Sequence, residues 1–285
     1  MSGAHRVREE DAIKNNSYLG ELENRSIYII REAYQQYRDR LALLWSMGKD
    51  STALLHLARK AFFGNVPMPV VHIDTGRKFE EIYSFRAKLS KAWRLDLVVV
   101  RNEQALVEGM SPEKGRFKCC SALKTQALRD AVSRQGYRAL LVAIRRDEHS
   151  IRAKERYFSP RGRDFKWDYH SRALELWAEY HDDGCSSAAD AHARVHPMLH
   201  WRERDIWEYV KRERLPVVPL YFSSRGRRYR SIGCECCCSP VPSRAGSING
   251  IIAELASTDV EERSGRANDK EDEYTMQKLR SLGYM

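Results

Sequence analysis

From residue 41 to about 213 the sequence alternates short apolar runs with amphipathic stretches, and this alternation constrains the fold more than any other feature. "LALLWS" (41–46) is apolar and bounded by turn residues, as a strand buried on both sheet faces should be. "TALLHLARKAFF" (52–63) changes to helical period and sets Leu54, Leu55, Ala58, Ala61 and Phe62 on one stripe. The same signals predict strands within 68–76, 95–102 and 139–148, and helices over 79–93 and 121–136. A fifth strand at 193–201 leads into a helix at 202–213. Such repetition predicts an α/β fold: a doubly wound, Rossmann-like parallel sheet with helices on both faces. Ligand should bind at the C-terminal ends of the strands, under the long segment 149–192.

Outside this block the patterns are plainer. "SIYIIREAYQQY" (26–37) places Ile29, Ile30, Ala33, Tyr34 and Tyr37 on one helical face. Residues 1–24 are polar and unpatterned, so a flexible arm is expected there. The α/β domain should span 25–220. A C-terminal extension, 221–285, carries a cysteine cluster and helical patterns near 247–256 and 271–282, and should pack on the same domain. No apolar run approaches the ~20 residues of a membrane-spanning helix. "MSGAHRVREEDAIKNN" lacks the apolar segment of a secretory signal, so a cytoplasmic protein with no membrane partner is expected.

The formal net charge is +10, which suits a phosphate-rich ligand or nucleic acid but equally a merely soluble basic protein. Two basic runs hold aromatics: "SPRGRDFKWDY" (159–169) and "SSRGRRYR" (223–230). Each could grip a phosphate backbone while Phe165, Trp167 or Tyr229 stacks on a base, or could be a solvated loop.

The first strand ends in "SMGKDST" (46–52). A Walker A loop needs Gly where Leu43 stands and Ser or Thr where Asp50 stands, so this is not that loop. A strand, a turn and a helix opening near Ser51 still point backbone N–H groups and a positive dipole end at one place. Ser46, Gly48, Lys49, Asp50, Ser51 and Thr52 resemble the S-x-G-K-D-S-[ST] loop of the N-type ATP pyrophosphatases, members of the adenine-nucleotide α-hydrolase (HUP-type) superfamily. Met47 replaces a glycine common there. The resemblance implies a loop that cradles the β- and γ-phosphates of ATP, which is cleaved between α and β. It gives Lys49 the task of neutralising the leaving pyrophosphate, and Asp50 that of orienting the loop or holding Mg²⁺.

Further stretches extend the likeness. "HIDTGRKFEEIY" (72–83) resembles the superfamily segment that sets Asp74, Thr75 and Gly76 beside the nucleotide. "AIRRDEHSIRAKER" (143–156) resembles the arginine-rich segment of the sulfate-assimilation branch. By that match Arg145, Arg146, Arg152 and Lys154 surround the phosphate or sulfonucleotide, with Arg145 and Arg146 joining Lys49 and Asp50 in catalysis. From about residue 25 to "RSLGYM" the chain resembles the small, catalytic ATP-sulfurylase subunits, through "DIWEYV", "LPVVPLY" and "ERSGR" as well.

The seven cysteines depart from that pattern. Clusters of this kind in a cytosolic protein suggest metal or redox chemistry. "KCCSALKTQAL" (118–128) and "SIGCECCCSPV" (231–241) resemble the paired-cysteine motifs of adenylylsulfate reductases. The match assigns Cys119, Cys120, Cys234 and Cys237 to a [4Fe–4S] cluster. A structural Cys₄ zinc site and unligated buried thiols are the competing readings. Cys236 and Cys238 leave the ligand set open, and Cys185 stands apart. Residues 239–285 contain no cysteine, so a reductase mechanism has no obvious tail nucleophile unless Cys236 or Cys238 serves.

A pyrophosphatase loop, a sulfurylase-like scaffold, clustered cysteines and excess positive charge together resemble the ATP pyrophosphatases of bacterial DNA phosphorothioation. That resemblance implies adenylylation of a DNA backbone phosphate, with sulfur from a cysteine desulfurase and further phosphorothioation proteins as partners. Sulfate assimilation, as a sulfate adenylyltransferase subunit or an adenylylsulfate reductase, is the alternative. A non-catalytic nucleotide-binding component of a sulfur-transfer complex is the third reading.

Overall fold

The computed structural model describes residues 2–149, 152–153, 155–162, 165, 192–258, 260–263 and 265–266. Helix α1 (Ser2–Tyr37) leads to strand β1 (Leu41–Leu44) and helix α2 (Lys49–Ala61). Strand β2 (Val70–Ile73), helix α3 (Glu80–Ala92) and strand β3 (Leu97–Val100) follow. Short helices α4 (Glu103–Val107) and α5 (Arg116–Cys120) run into a π-helical stretch, Ser121–Gln126, and then helix α6 (Ala127–Gln135). Strands β4 (Ala139–Leu141), β5 (Phe158–Arg161) and β6 (His192–Val195) precede helix α7 (Glu203–Arg212). A small hairpin of β7 (Arg227–Arg228) and β8 (Val241–Pro242) comes before helix α8 (Ile248–Leu255).

Among the described residues, six strands form one sheet in the order β3-β2-β1-β4-β6-β5. All neighbours are parallel except β5, which runs antiparallel to β6. The predicted doubly wound sheet is therefore present. Strand period two distributes the side chains between its faces. Leu41, Leu43 and Trp45 share a core with Ile29 and Ile30 of α1, Leu54 of α2 and Ile206 of α7. Ala42 and Leu44 share another with Leu128 and Val132 of α6. Truncating such a fully buried leucine to alanine costs about 2–5 kcal/mol.

The structure departs from the sequence expectations in four places. Where an unpatterned arm was expected, α1 runs from Ser2, and Leu19 and Leu22 on it are buried. Their helical spacing continues through Ser26, whose hydroxyl donates to the Pro197 carbonyl at 2.9 Å and accepts from the Trp201 indole at 2.8 Å. Only His192–Val195 of the expected fifth strand is extended, and β5 is an unexpected partner at the sheet edge. Pro160 lies within β5, where an edge position tolerates its missing N–H. The helix expected at 121–136 begins earlier, at Arg116, and passes through the π turn. Helix α8 matches the first C-terminal pattern, whereas the one at 271–282 lies outside the described residues. Among the described residues no helix is long and apolar enough to cross a membrane.

Candidate active site

The chain leaves β1, turns through Trp45–Gly48 and enters α2 at Lys49. Met47 adopts φ +62°, a left-handed conformation natural to glycine, which accounts for the glycine common in similar loops. Its buried side chain packs in the main core. Gly48 is extended and makes no side-chain cap, so the first turn of α2 keeps N–H groups for other partners. The Lys49 N–H donates to the Tyr221 hydroxyl at 2.9 Å, and the Ser46 N–H to Ser51 Oγ at 3.2 Å. Ser51 Oγ in turn donates to the Gly48 carbonyl at 3.1 Å. Thr52 faces inward instead, its hydroxyl accepting from the Trp45 indole at 3.1 Å.

Above this loop lies a cavity of about 180 Å³. It sits where successive strands diverge from β1 toward β2 on one side and β4 on the other, the place where open α/β sheets bind ligands. Leu44, Val71, Ile73, Val142 and Ile144 give it apolar walls suited to an adenine ring. Lys49, Lys78, Lys124, Arg152, Arg263 and Arg266 give it a cationic lining suited to polyphosphate.

Two of the predicted cations meet at the loop. Lys49 is 1% exposed and Arg145 0%. Lys49 Nζ contacts Asp50 at 3.0 Å and also Glu262. Arg145 contacts Asp50, Glu262 and, at 3.0 Å, Asp147. Burial alone would lower the Arg145 pKa, but Glu262 and Asp147 raise it and keep the guanidinium charged. Burial would likewise raise Glu262, yet Arg145 and Lys49 hold its carboxyl below the usual range. Glu262 and Tyr221 were not singled out from the sequence. Both arrive from far along the chain, inside the "ERSGR" and "LPVVPLY" stretches noted only for their likeness.

The arginine-rich segment divides. Arg152 lines the cavity and pairs with Glu148. Arg146 points elsewhere, its guanidinium lying 5.3 Å from the Tyr157 ring centroid, so it does not join the phosphate loop. Lys154 lies outside the described residues. Asp74, Thr75 and Gly76 do not line the cavity either. The buried Asp74 accepts from the Gly76 N–H (2.9 Å), Tyr83 (3.0 Å), Arg86 (3.2 Å) and Arg101 (2.8 Å). Burial would raise its carboxyl, but the Gly76 N–H, Arg101 and Tyr83 hold it at about 2. Asp74 thus fixes the turn after β2, with Gly76 at φ +66°.

Thr75 leads to the cysteines, its hydroxyl 3.3 Å from Cys234 Sγ. Cys119, Cys120, Cys234, Cys236 and Cys237 line one small pocket of about 10 Å³, although the two groups are distant in sequence. Lys124 lines both this pocket and the nucleotide cavity. Burial raises the Cys119 thiol to about 11 and Cys237 to about 12. Burial would raise Cys234 too, but Lys124, Lys78 and the Thr75 hydroxyl bring it to about 7. Cys234 is thus brought toward the thiolate form that a metal or cluster needs, whereas Cys119 and Cys237 are held as thiols in this packing, and Lys124 and Lys78 are the cations that would balance a thiolate-bound group. In their present packing, no three His, Cys, Asp or Glu side chains among the described residues form a metal-holding group. Asp50, already paired twice, is the carboxylate nearest the loop for a Mg²⁺ that would arrive with the phosphates.

Several described residues of the basic runs are paired within the fold. Arg228 is 1% exposed and pairs with Glu254 at 2.7 Å, and Arg230 pairs with Glu203 at 2.8 Å. Tyr229 packs edge-on against Phe79, while Arg225 and Arg227 are exposed. In the other run, Arg161 pairs with Glu155 at 3.2 Å and Phe165 is buried against His192. Trp167, like Cys185, lies outside the described residues.

Residues 40–240 match the phosphoadenosine phosphosulfate reductase domain. The chain belongs to that family. Within it, a sulfate adenylyltransferase subunit 2 from Allorhizobium ampelinum is 38% identical, over 94% of this chain and 93% of its own length. The Myxococcus xanthus protein of the same name is 37% identical over 96% of this chain and 99% of its own. This phosphoadenosine phosphosulfate reductase family member is an adenylyl-transferring enzyme. Its fold is similar to yeast FAD synthetase in complex with FAD (TM-score 0.55, 17% identity, 88% of this chain and 90% of that one). It is also similar to phosphoadenylyl-sulfate reductase from Candida auris (TM-score 0.52, 16% identity, 79% and 97%).

Proposed function

We propose that this chain is a sulfate adenylyltransferase subunit, in which a sulfate oxygen attacks the α-phosphorus of ATP and expels pyrophosphate. In that step an S–O–P bond forms, the Pα–O–Pβ bond breaks, and its electron pair leaves with pyrophosphate. The observation that carries the reading is the buried Lys49–Arg145 pair at the start of α2, beside an apolar slot at the sheet's divergence point. Lys49 and Arg145 offset charge developing on the departing pyrophosphate. The end-to-end similarity to sulfate adenylyltransferase subunits supports sulfate as acceptor. The test is isotope exchange of labelled pyrophosphate into ATP with Mg²⁺. Exchange that needs sulfate supports the reading, whereas formation of ADP and phosphate overturns it.

A second reading keeps the activation step and makes a DNA backbone phosphate the acceptor, as in DNA phosphorothioation, with a cysteine desulfurase and the other phosphorothioation proteins as partners. The convergence of five cysteines beside the nucleotide cavity favours it. Cys119, Cys120, Cys234 and Cys237 would hold a [4Fe–4S] cluster, which when bound would supply redox or electrostatic chemistry next to the site. The internally paired Arg228 and Arg230 weigh against it, since they leave fewer cations for a duplex. Exchange that needs DNA rather than sulfate, with phosphorothioate dinucleotides in digested cellular DNA, would favour this reading over the first.

A further inference from the structure

The groups that would receive the pyrophosphate half of ATP are already occupied by the chain itself. Glu262 sets one carboxylate oxygen on Lys49 Nζ and the other on Arg145 Nη2. It belongs to the described residues 260–263 and 265–266 after α8, a strap from which Arg263 and Arg266 line the cavity. Arg263 pairs with Glu148 at 3.0 Å. Arg266 donates to Ser231 Oγ at 3.0 Å, to Cys238 Sγ at 3.4 Å and to the Ile232 carbonyl. The strap's backbone is joined to the rest of the fold by a bridge between Cys238 and Arg266, by the Ser239 N–H donating to the Gly265 carbonyl at 2.9 Å, and by Arg230 donating to the Val260 carbonyl.

Glu262 and a phosphate group would compete for the same two cations, Lys49 and Arg145. The two cations contact three carboxylates, Asp50, Asp147 and Glu262. Further anions on cations already matched would meet strong repulsion in a buried site. Asp50 lies in the first turn of α2, and Asp147 accepts the Glu203 N–H at 2.8 Å at the start of α7. Glu262 is the one of the three whose departure disturbs neither the sheet nor these helices.

We propose that Glu262 is an internal latch, a carboxylate that holds the pyrophosphate position and is displaced when ATP binds, releasing the strap that carries Arg263 and Arg266. The proposal rests on the adenylyltransferase reading, because it takes the Lys49–Arg145 pair as the pyrophosphate seat. A latch closed most of the time lowers apparent affinity by the fraction of molecules open.

The full-length protein and its Glu262→Gln variant are titrated calorimetrically with inorganic pyrophosphate and with ATP. In parallel, amide hydrogen exchange is followed in wild-type peptides containing Glu262. Glutamine keeps the shape and removes the competing charge, so pyrophosphate affinity should rise roughly 10- to 100-fold, as for a site open in about 1–10% of molecules. In the wild type, pyrophosphate should speed exchange across the strap, a readout that needs no variant to fold. Unchanged or weaker pyrophosphate binding by a folded Glu262→Gln, or slower strap exchange in the wild type, overturns the latch. If both proteins bind pyrophosphate equally, only the latch falls. If neither binds pyrophosphate or ATP, the adenylyltransferase reading falls and takes the latch with it.

Discussion

Replacing Lys49 by methionine separates the chemistry of the loop from its packing. The lysine stem is buried at the first position of α2, and methionine fills similar space without the charge. Two carboxylates lose a partner, Asp50 and Glu262, but both keep Arg145. Neither is stranded, so the stability cost should be that of a lost charged hydrogen bond, about 1–3 kcal/mol, and not the larger penalty of an orphaned buried ion. At about 2–4 °C per kcal/mol for a domain near this size, the melting temperature should fall by roughly 2–12 °C. The effect on turnover should be larger, because the ammonium would act on charge that grows as pyrophosphate departs. Losing one such contact costs about 2.7–4 kcal/mol, or roughly 10²- to 10³-fold in kcat. A coupled pyrophosphate-release assay with ATP, Mg²⁺ and sulfate measures it, with calorimetric melting of the same preparation. Activity within tenfold of wild type in a folded variant would refute the role assigned to Lys49. A collapse in melting temperature would instead show that the charge is structural.

Three further outcomes follow from other parts of the molecule. The Asp74 carboxyl is held at about 2 against an ordinary 3.8, so its contribution, roughly 2 kcal/mol, is fully present above the higher value and lost as pH falls through the lower. Asp74→Asn should therefore destabilise in urea at neutral pH and match the wild type near pH 2; an equal gap at both pH values would contradict this. Arg228→Ala should cost about 3 kcal/mol by breaking the buried pair with Glu254. It should lower DNA retention no more than its loss of stability explains, and a selective loss of DNA binding in a stably folded variant would restore the nucleic-acid reading of that run. Anaerobically purified protein should carry about four irons per chain if the cysteines hold a cubane cluster. Serine at Cys119, Cys120, Cys234 or Cys237 should remove them and Cys185→Ser should not, whereas stoichiometric zinc without iron would exclude the cluster.

Much of the scaffold was legible because its signals are local. A four-residue apolar run such as Leu41–Leu44, followed by helical period from Lys49, states both the strand and its crossover within twenty residues. The loop at Ser46–Ser51 was equally legible, since strand, turn and helix opening are contiguous. What stayed hidden depends on distance or on mixed polarity. Glu262 meets Lys49 from 213 positions away, and a glutamate among charged neighbours carries no mark of burial. Strand β5 contains a proline, which weakens any strand signal although an edge accepts it. The first part of α1, up to residue 24, was expected as an arm because its buried apolar positions are sparse, with Leu19 and Leu22 set among polar residues. In the basic runs composition shows charge, while only folding shows that Arg228 and Arg230 are paired within the chain and that Arg225 and Arg227 face outward.

Lys124 stands in the wall between the nucleotide cavity and the cysteine pocket, and that shared wall makes the two compartments one thermodynamic system. Any event that alters charge at the sulfurs changes the field this ammonium presents to a phosphate. Binding free energies are reciprocal, so a nucleotide must alter the proton, oxidation or metal equilibrium of the cysteines by the same factor. Measuring nucleotide affinity under reducing and oxidising conditions therefore also measures how far nucleotide shifts the thiol potential, whichever oxyanion the enzyme finally adenylylates.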